Sequence, residues 1–195
     1  MPSSPKRTNN VPKLAQGVLL IAEPFLSCEY FKRSIVFLTD HDDKGTMGLI
    51  LNKDTEVKLN DAVEDFPEFD APLYFGGPVE TDTLFYLHTI GEKLPGSRRI
   101  TDNVWWGGDY DQLKFLIDTK QIGSDQIRFF AGYSGWEPKQ AQKEVKEKAW
   151  IVCLNEIQKA CFWKENPRNM WSWVLKSMGN EYAILANFPE DPSLN

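Results

Sequence analysis

Cysteine and histidine are scarce in this chain, with three of the first and two of the second among 195 residues. Cys28, Cys153 and Cys161 are odd in number and lack the spacing of a metal site, so neither a disulfide framework nor a cysteine-bound metal is expected. They read as free, mostly buried thiols in a reducing cytosol. Long apolar runs are also missing. Residues 18–22 (VLLIA) are far too few to span a bilayer, and the opening MPSSPKRTNNVPK has no apolar centre of a signal peptide. A cytoplasmic protein with no membrane contact is therefore expected. Positive charge is in deficit, 22 basic against 28 acidic residues for a net charge of −6. That balance favours solubility and offers no general attraction to phosphate backbones. Direct binding of DNA stays open as an alternative that charge does not support, and no helix-turn-helix, zinc knuckle or basic stripe is visible.

Aromatic residues are present in quantity. Seven Trp and twelve Phe are too many to expose, so a packed core is expected. Residues 1–12 are polar and rich in Pro, Ser and Asn, and read as a flexible tail. Beyond them no linker, repeat or low-complexity stretch appears, so residues 13–195 are read as one domain.

Strands are expected at residues 18–22, 34–39 (SIVFLT), 47–52 (MGLILN), 73–75, 84–89 (LFYLHT), 127–131 (IRFFA) and 183–186. The polar stretch 40–45 would join the second and third as a hairpin whose loop exceeds the tightest classes. Residues 149–154 (AWIVCL) could extend a helix, but their β-branched run favours a buried strand. Helices are expected over 59–66, capped by Asn60 or Asp61, over 109–119 behind Asp109, over 138–148 from Pro138, and over 167–178 up to Gly179. No regular βαβ alternation appears. The class is α+β, with a mixed or antiparallel sheet flanked by helices.

Several constellations could carry chemistry. Gly132-Tyr133-Ser134-Gly135-Trp136 looks like a nucleophile elbow, but the pattern needs glycine where Trp136 stands. The simpler reading is a tight turn with Tyr133 and Trp136 packed beneath it. Gly76-Gly77-Pro78 and Gly107-Gly108-Asp109 are turns able to cradle an anion, yet neither has a Walker lysine or a dinucleotide fingerprint. His41, within Asp40-His41-Asp42-Asp43, is the best metal suggestion, without the spacing of a calcium loop. His88, on an aromatic strand, reads as a hydrogen-bonded structural histidine. Lys139, Lys143, Lys146 and Lys148 alternate with Glu137, Glu144 and Glu147, as on a solvated helix face laced with ion pairs. Trp105 and Trp106, if extended, point to opposite faces, so one of them must reach a second layer, a partner or solvent.

Taken in order, residues 17–24 (GVLLIAEP), residues 34–52 with His41, 75–79 (FGGPV), Gly107-Gly108-Asp109, 130–136 (FAGYSGW) and 187–195 (NFPEDPSLN) resemble the AlgH/YqgE family from about residue 13 to the C-terminus. The family pattern Gly-Tyr-Ala-Gly-Trp has alanine where Ser134 stands, which argues against Ser134 as a nucleophile. The resemblance implies an α+β fold, a cytosolic location and a loose association with transcriptional regulation. The reading that follows is a non-enzymatic regulatory or adaptor protein that binds a macromolecular partner or a small ligand, with no cofactor and no metal. An undiscovered enzyme is a further alternative. Candidate binding residues are His41, Asn52, Gly76, Gly77, Pro78, Tyr133 and Trp136.

Overall fold

A computed structural model describes residues 12–154 and 166–189 of the chain. Cys161 and most of the expected N-terminal tail lie outside the described residues. Ten strands form one sheet: β1 (Leu19–Ala22), β2 (Ile35–Asp42), β3 (Gly45–Ile50), β4 (Asp54–Lys58), β5 (Pro72–Phe75), β6 (Val79–His88), β7 (Arg98–Arg99), β8 (Trp105–Trp106), β9 (Ile127–Trp136) and β10 (Trp150–Cys153). Among the described residues five α-helices accompany them: α1 (Leu59–Ala62), α2 (Tyr110–Asp118), α3 (Gln140–Lys146), α4 (Pro167–Ser177) and α5 (Asn180–Leu185). The strand order is β10-β1-β2-β3-β9-β6-β8-β7, with β4 joined through β5 to β9. β5 runs parallel to β9, and the other pairings are antiparallel. The α+β class with a mixed sheet holds.

Both faces of the sheet are covered, which explains why its central strands are unbroken apolar runs rather than alternating ones. Leu19, Ile21, Ile35, Phe37, Leu49 and Phe130 face one side, where Met170, Trp171, Val174 and Leu175 of α4 close over them. The opposite side carries two separate clusters. Leu20, Ala22, Val36, Leu38 and Ile50 pack with Ala141 and Val145 of α3, whereas Leu73, Tyr86, Ile127 and Phe129 pack with Leu113, Leu116 and Ile117 of α2. Asp109 caps α2 by accepting a hydrogen bond from the Gln112 amide at 2.8 Å.

Several local expectations change. The β2–β3 hairpin is tight: Asp42 pairs with Gly45, leaving Asp43 and Lys44 as the turn. Asp42 makes this possible, because its Oδ1 accepts from the amides of Lys44 (2.7 Å) and Gly45 (3.2 Å). Residues 132–136 are the second half of β9, not a turn after it. Helix α3 starts at Gln140, with Pro138 in the preceding turn and Lys139 in the left-handed region at φ 67°. Helix α1 is a single turn, and Asn60 does not cap it; its side chain instead binds the carbonyls of Phe66 and Pro67 and the amide of Phe69. Residues 183–186 are not a strand. They fall in and after α5, which follows α4 through Gly179 at φ 114° and lays Tyr182 and Leu185 against the α4 cluster. Four apolar residues cannot distinguish the two periodicities. Residues 149–154 do form a strand, β10.

One junction joins the two halves of the sheet. β9 borders β5 at Phe129–Ala131 and then β3 at Ser134–Trp136 on the same side. Gly76 sits where one neighbour gives way to the other. Its amide donates to the Ala131 carbonyl at 2.9 Å, and its carbonyl accepts from the Ile50 amide at 2.9 Å and from Ser134 Oγ at 3.1 Å. A Cβ on Gly76 would lie 2.1 Å from the Gly132 carbonyl oxygen, and one on Gly132 would lie 2.5 Å from the Gly77 carbonyl oxygen. Backbone that cannot retreat surrounds both. Gly76→Ala is expected to destabilise the protein by about 3 kcal/mol. Gly135→Ala, whose Cβ meets side chains alone, the Tyr133 ring at 3.2 Å and Val79 Cγ2 at 3.9 Å, should cost well under half of that; urea midpoints at unchanged m-value make the comparison.

Candidate functional site

The hairpin β2–β3 and the end of β9 enclose a cleft of about 570 Å³, whose walls include Asp40, Asp42, Tyr133, Trp136 and Glu137. Gly132, at φ 69°, is what delivers the two aromatics to it. Strict alternation along a strand would put Phe130 and Trp136 on one face. The irregularity at Gly132 resets the phase, so Tyr133 joins Phe130 against the α4 side while Trp136 turns toward α3. Tyr133 meets Phe85 edge-on at 5.6 Å. Trp136 packs on Phe31 and Trp150 and is nearly buried.

The indole N–H of Trp136 donates to Glu144 Oε2 at 2.9 Å, and that of Trp150 donates to the same oxygen at 2.8 Å. Gln140 Nε2 donates to Glu144 Oε1 at 2.8 Å. Glu144 is thus no member of an ion-paired face, as its alternation with lysines implied. Three N–H donors hold it, and it locks α3 to the sheet. An ion pair of the expected kind is seen between Lys143 and Glu147, loosely at 3.9 Å.

His41 lies across the hairpin, on an adjoining cavity of about 700 Å³ that also touches Asp43, Gln142 and Lys146. The Gln142 side-chain amide lies 3.0 Å from His41 Nε2, and Thr46 Oγ1 lies 2.7 Å from His41 Nδ1. The imidazole therefore ties the hairpin to α3. The neighbouring carboxylates are engaged: Asp42 holds the turn amides, and Asp40 faces Arg98 at 3.4 Å. Among the described residues no group of three or more histidines, cysteines or acids is placed to hold a metal ion.

Asn52 lies elsewhere. Its Oδ1 accepts from the Ile35 amide at 2.8 Å and its Nδ2 donates to the Arg33 carbonyl at 2.9 Å, clasping the entry to β2. It lines a third cleft, which also holds Lys32, Arg33, Lys53 and Arg168. Gly76, Gly77 and Pro78 line none of the three clefts; the two glycines belong to the sheet junction. So Tyr133 and Trp136 share one cleft, His41 adjoins it, and Asn52 is separate. Asp40 and Asp42 of the first cleft belong to the acidic turn noted in the sequence, whereas the cations of the third carry no sequence signal, because their residues come from distant segments. Ser134 is fully buried, its Oγ spent on Gly76.

The second glycine turn is likewise structural. The Gly107 amide donates to Tyr86 and the Asp109 amide to Pro95, so these amides are not available to an anion. The Tyr86 hydroxyl donates to the Gly108 carbonyl at 2.6 Å, and its pKa is pushed up to about 12, chiefly by burial, with Asp109 and Tyr110 adding to it. Of the tryptophan pair, Trp106 stacks on Phe85 at 5.5 Å, and Trp105 lies over Gly91; both are half-buried.

His88 is fully buried, with Nε2 at 3.0 Å from the Gly107 carbonyl and Nδ1 buried without a partner. Nε2 therefore carries the proton and donates it. Burial lowers the His88 pKa, and the Gly107 bond opposes this only in part. A lowered folded-state pKa means that the unfolded chain takes up the proton first as pH falls below about 6.5. Stability should be flat above neutrality and decline from about pH 6.5 downward, a decline that His88→Gln reduces when denaturation midpoints at pH 7.5 and pH 5.5 are compared.

A mixed sheet with β5 and β3 sharing one side of β9, a buried glycine junction, and α4 and α3 on opposite faces defines an α+β protein of AlgH-like architecture. It superposes on the solution structure of the AlgH protein from Pseudomonas aeruginosa with a TM-score of 0.69 at 24% identity, covering 97% of this chain and 98% of the other. A crystal structure of a protein from Corynebacterium diphtheriae gives a TM-score of 0.74 at 19% identity over 91% of this chain and 94% of that one. The AlgH-like family model matches residues 19–183. A UPF0301 protein of Bacteroides fragilis is 43% identical over 190 residues, covering 97% of this chain and 95% of the relative. One of Chlorobium limicola is 40% identical over 187 residues, covering 96% and 99% respectively. The chain belongs to the AlgH-like family. Among the described residues no helix is long and apolar enough to cross a membrane.

Proposed function

We propose that the protein is a non-enzymatic binding protein, regulatory or adaptor in role, that receives a basic segment of a partner in the hairpin cleft. The observation that carries this reading is the make-up of that cleft. Asp40, Asp42 and Glu137 line it with Lys44, beside the rings of Tyr133 and Trp136, in a space of about 570 Å³. Carboxylates next to aromatic rings suit a guanidinium or ammonium group through charge-assisted hydrogen bonds and cation–π contact. Asp40 already takes the Arg98 guanidinium at 3.4 Å from one side. The cleft walls are backed by sheet and by the Glu144 clamp, so little ordering would accompany binding.

The test is an affinity capture from native cytosol, with and without nuclease, read by mass spectrometry. The bait is the full chain, alongside Tyr133→Ala and Glu137→Lys forms whose amide spectra remain native. A partner that survives nuclease and is reduced about tenfold by either substitution is the expected outcome. Equal capture by all three baits contradicts the cleft. Loss of every partner on nuclease treatment would favour a regulator that acts on DNA.

A further inference from the structure

A side chain of the protein itself already holds one carboxylate of the acidic cleft. β7 stands at one end of the strand order, with β8, β6, β9 and β3 between it and β2. Arg98 of β7 nevertheless reaches β2, so the sheet curls until its β7 edge meets that strand. Arg98 Nη1 lies 3.4 Å from Asp40 Oδ2, and Nη2 donates to the Thr39 carbonyl at 3.0 Å. The register of β2 against β3 slips between Leu38 and Asp40, which leaves Thr39 with no residue opposite it in that ladder. Thr39 is fully buried, and a buried carbonyl without a donor is costly. Arg98 supplies the donor. Both charged side chains stay open to water, Arg98 at 43% exposure and Asp40 at 53%, and an ion pair so exposed is weak.

We infer that Arg98 is a resident stand-in for the group the cleft receives: the partner residue is an arginine, and its guanidinium displaces that of Arg98 from Asp40 and Thr39. The inference rests on the reading of the cleft as a site for a basic segment, and it names the residue that the site takes. One carboxylate oxygen and one carbonyl face the two Nη groups of a single planar fork. A second guanidinium reproduces both bonds, so the exchange leaves neither the Asp40 charge nor the buried carbonyl unpaired. An ammonium donates from one compact, strongly hydrated centre and gives up part of that fit. An incoming arginine that left Arg98 in place would set two cations on one carboxylate, so displacement is favoured over addition. The exchange itself is close to neutral. Net binding comes from other groups on the cleft wall, the Glu137 carboxylate and the Tyr133 ring.

NMR titrations of the full chain at constant ionic strength, with the blocked tripeptides Gly-Arg-Gly and Gly-Lys-Gly as probes, test the inference. They are run on the native protein and on Arg98→Lys and Arg98→Ala forms whose amide spectra remain native. Saturable amide shifts are expected at residues 39–42 and 133–137, with the arginine peptide bound more tightly than the lysine peptide. Arg98→Lys keeps the net charge and loses the fork, so it should tighten the arginine peptide about threefold, and Arg98→Ala at least as much. In the native protein the arginine peptide should also move the Arg98 Nε–H signal, a readout that needs no substitution. Equal binding of the two peptides, or an arginine-peptide affinity that neither substitution raises, overturns the inference and leaves the reading of the cleft standing. No saturable shift at the cleft from either peptide, in any of the three forms, overturns both.

Discussion

The contact between Gly76 and Gly132 is the constraint from which the rest of the molecule follows. β9 must leave β5 and take up β3 along a single edge, and the chain that ends β5 has to pass between them. It can do so only as bare backbone, since a Cβ on Gly76 would come within 2.1 Å of the Gly132 carbonyl oxygen. Ser134 adds a buried hydroxyl bond to the Gly76 carbonyl that an alanine could not supply. The residue that looked like a nucleophile out of context thus contributes to the joint between two half-sheets.

The functional surfaces inherit their geometry from that joint. The phase reset at Gly132 sends Trp136 toward α3, where it shares Glu144 with Trp150. With α3 fixed, Gln142 is in position to hold His41, and His41 holds Thr46 across the hairpin. The acidic cleft is the space left between hairpin and β9 when these connections are made. The basic cleft depends on the opposite face, where α4 packs Trp171 against the sheet and Trp171 in turn supports the Arg33 guanidinium. Two clefts of opposite charge lie at the two ends of one hairpin, the acidic one at its turn and the basic one at its open end.

The central strands were legible in the sequence because burial on both faces makes them continuous apolar runs, as in Leu19–Ala22 and Trp150–Cys153. Helices α2 and α4 were legible from their caps and periodicity. β4 was not, since DTEVK is an exposed strand with no apolar face to betray it. The stretch at 132–136 reads as a turn but is strand, because glycines that serve close packing look the same in sequence as glycines that serve a turn. Tyr133 and Trp136 share a cleft, while Asn52 is engaged in backbone hydrogen bonds and the glycine pair in the close packing of the sheet junction. The cations of the basic cleft could not be found by reading along the chain. Lys32 and Arg33 precede one strand, Lys53 follows another, and Arg168 lies on a helix far downstream, so only the fold assembles them.

Native-state hydrogen exchange at the junction amides tests the account most directly. The Ile50 amide, bonded to Gly76, and the Gly76 amide, bonded to Ala131, should exchange only through global unfolding, with protection free energies equal to the stability measured by denaturation. If both exchange through a local opening of much lower free energy, as the exposed strand β4 should, the two half-sheets are not held at this joint and the account fails.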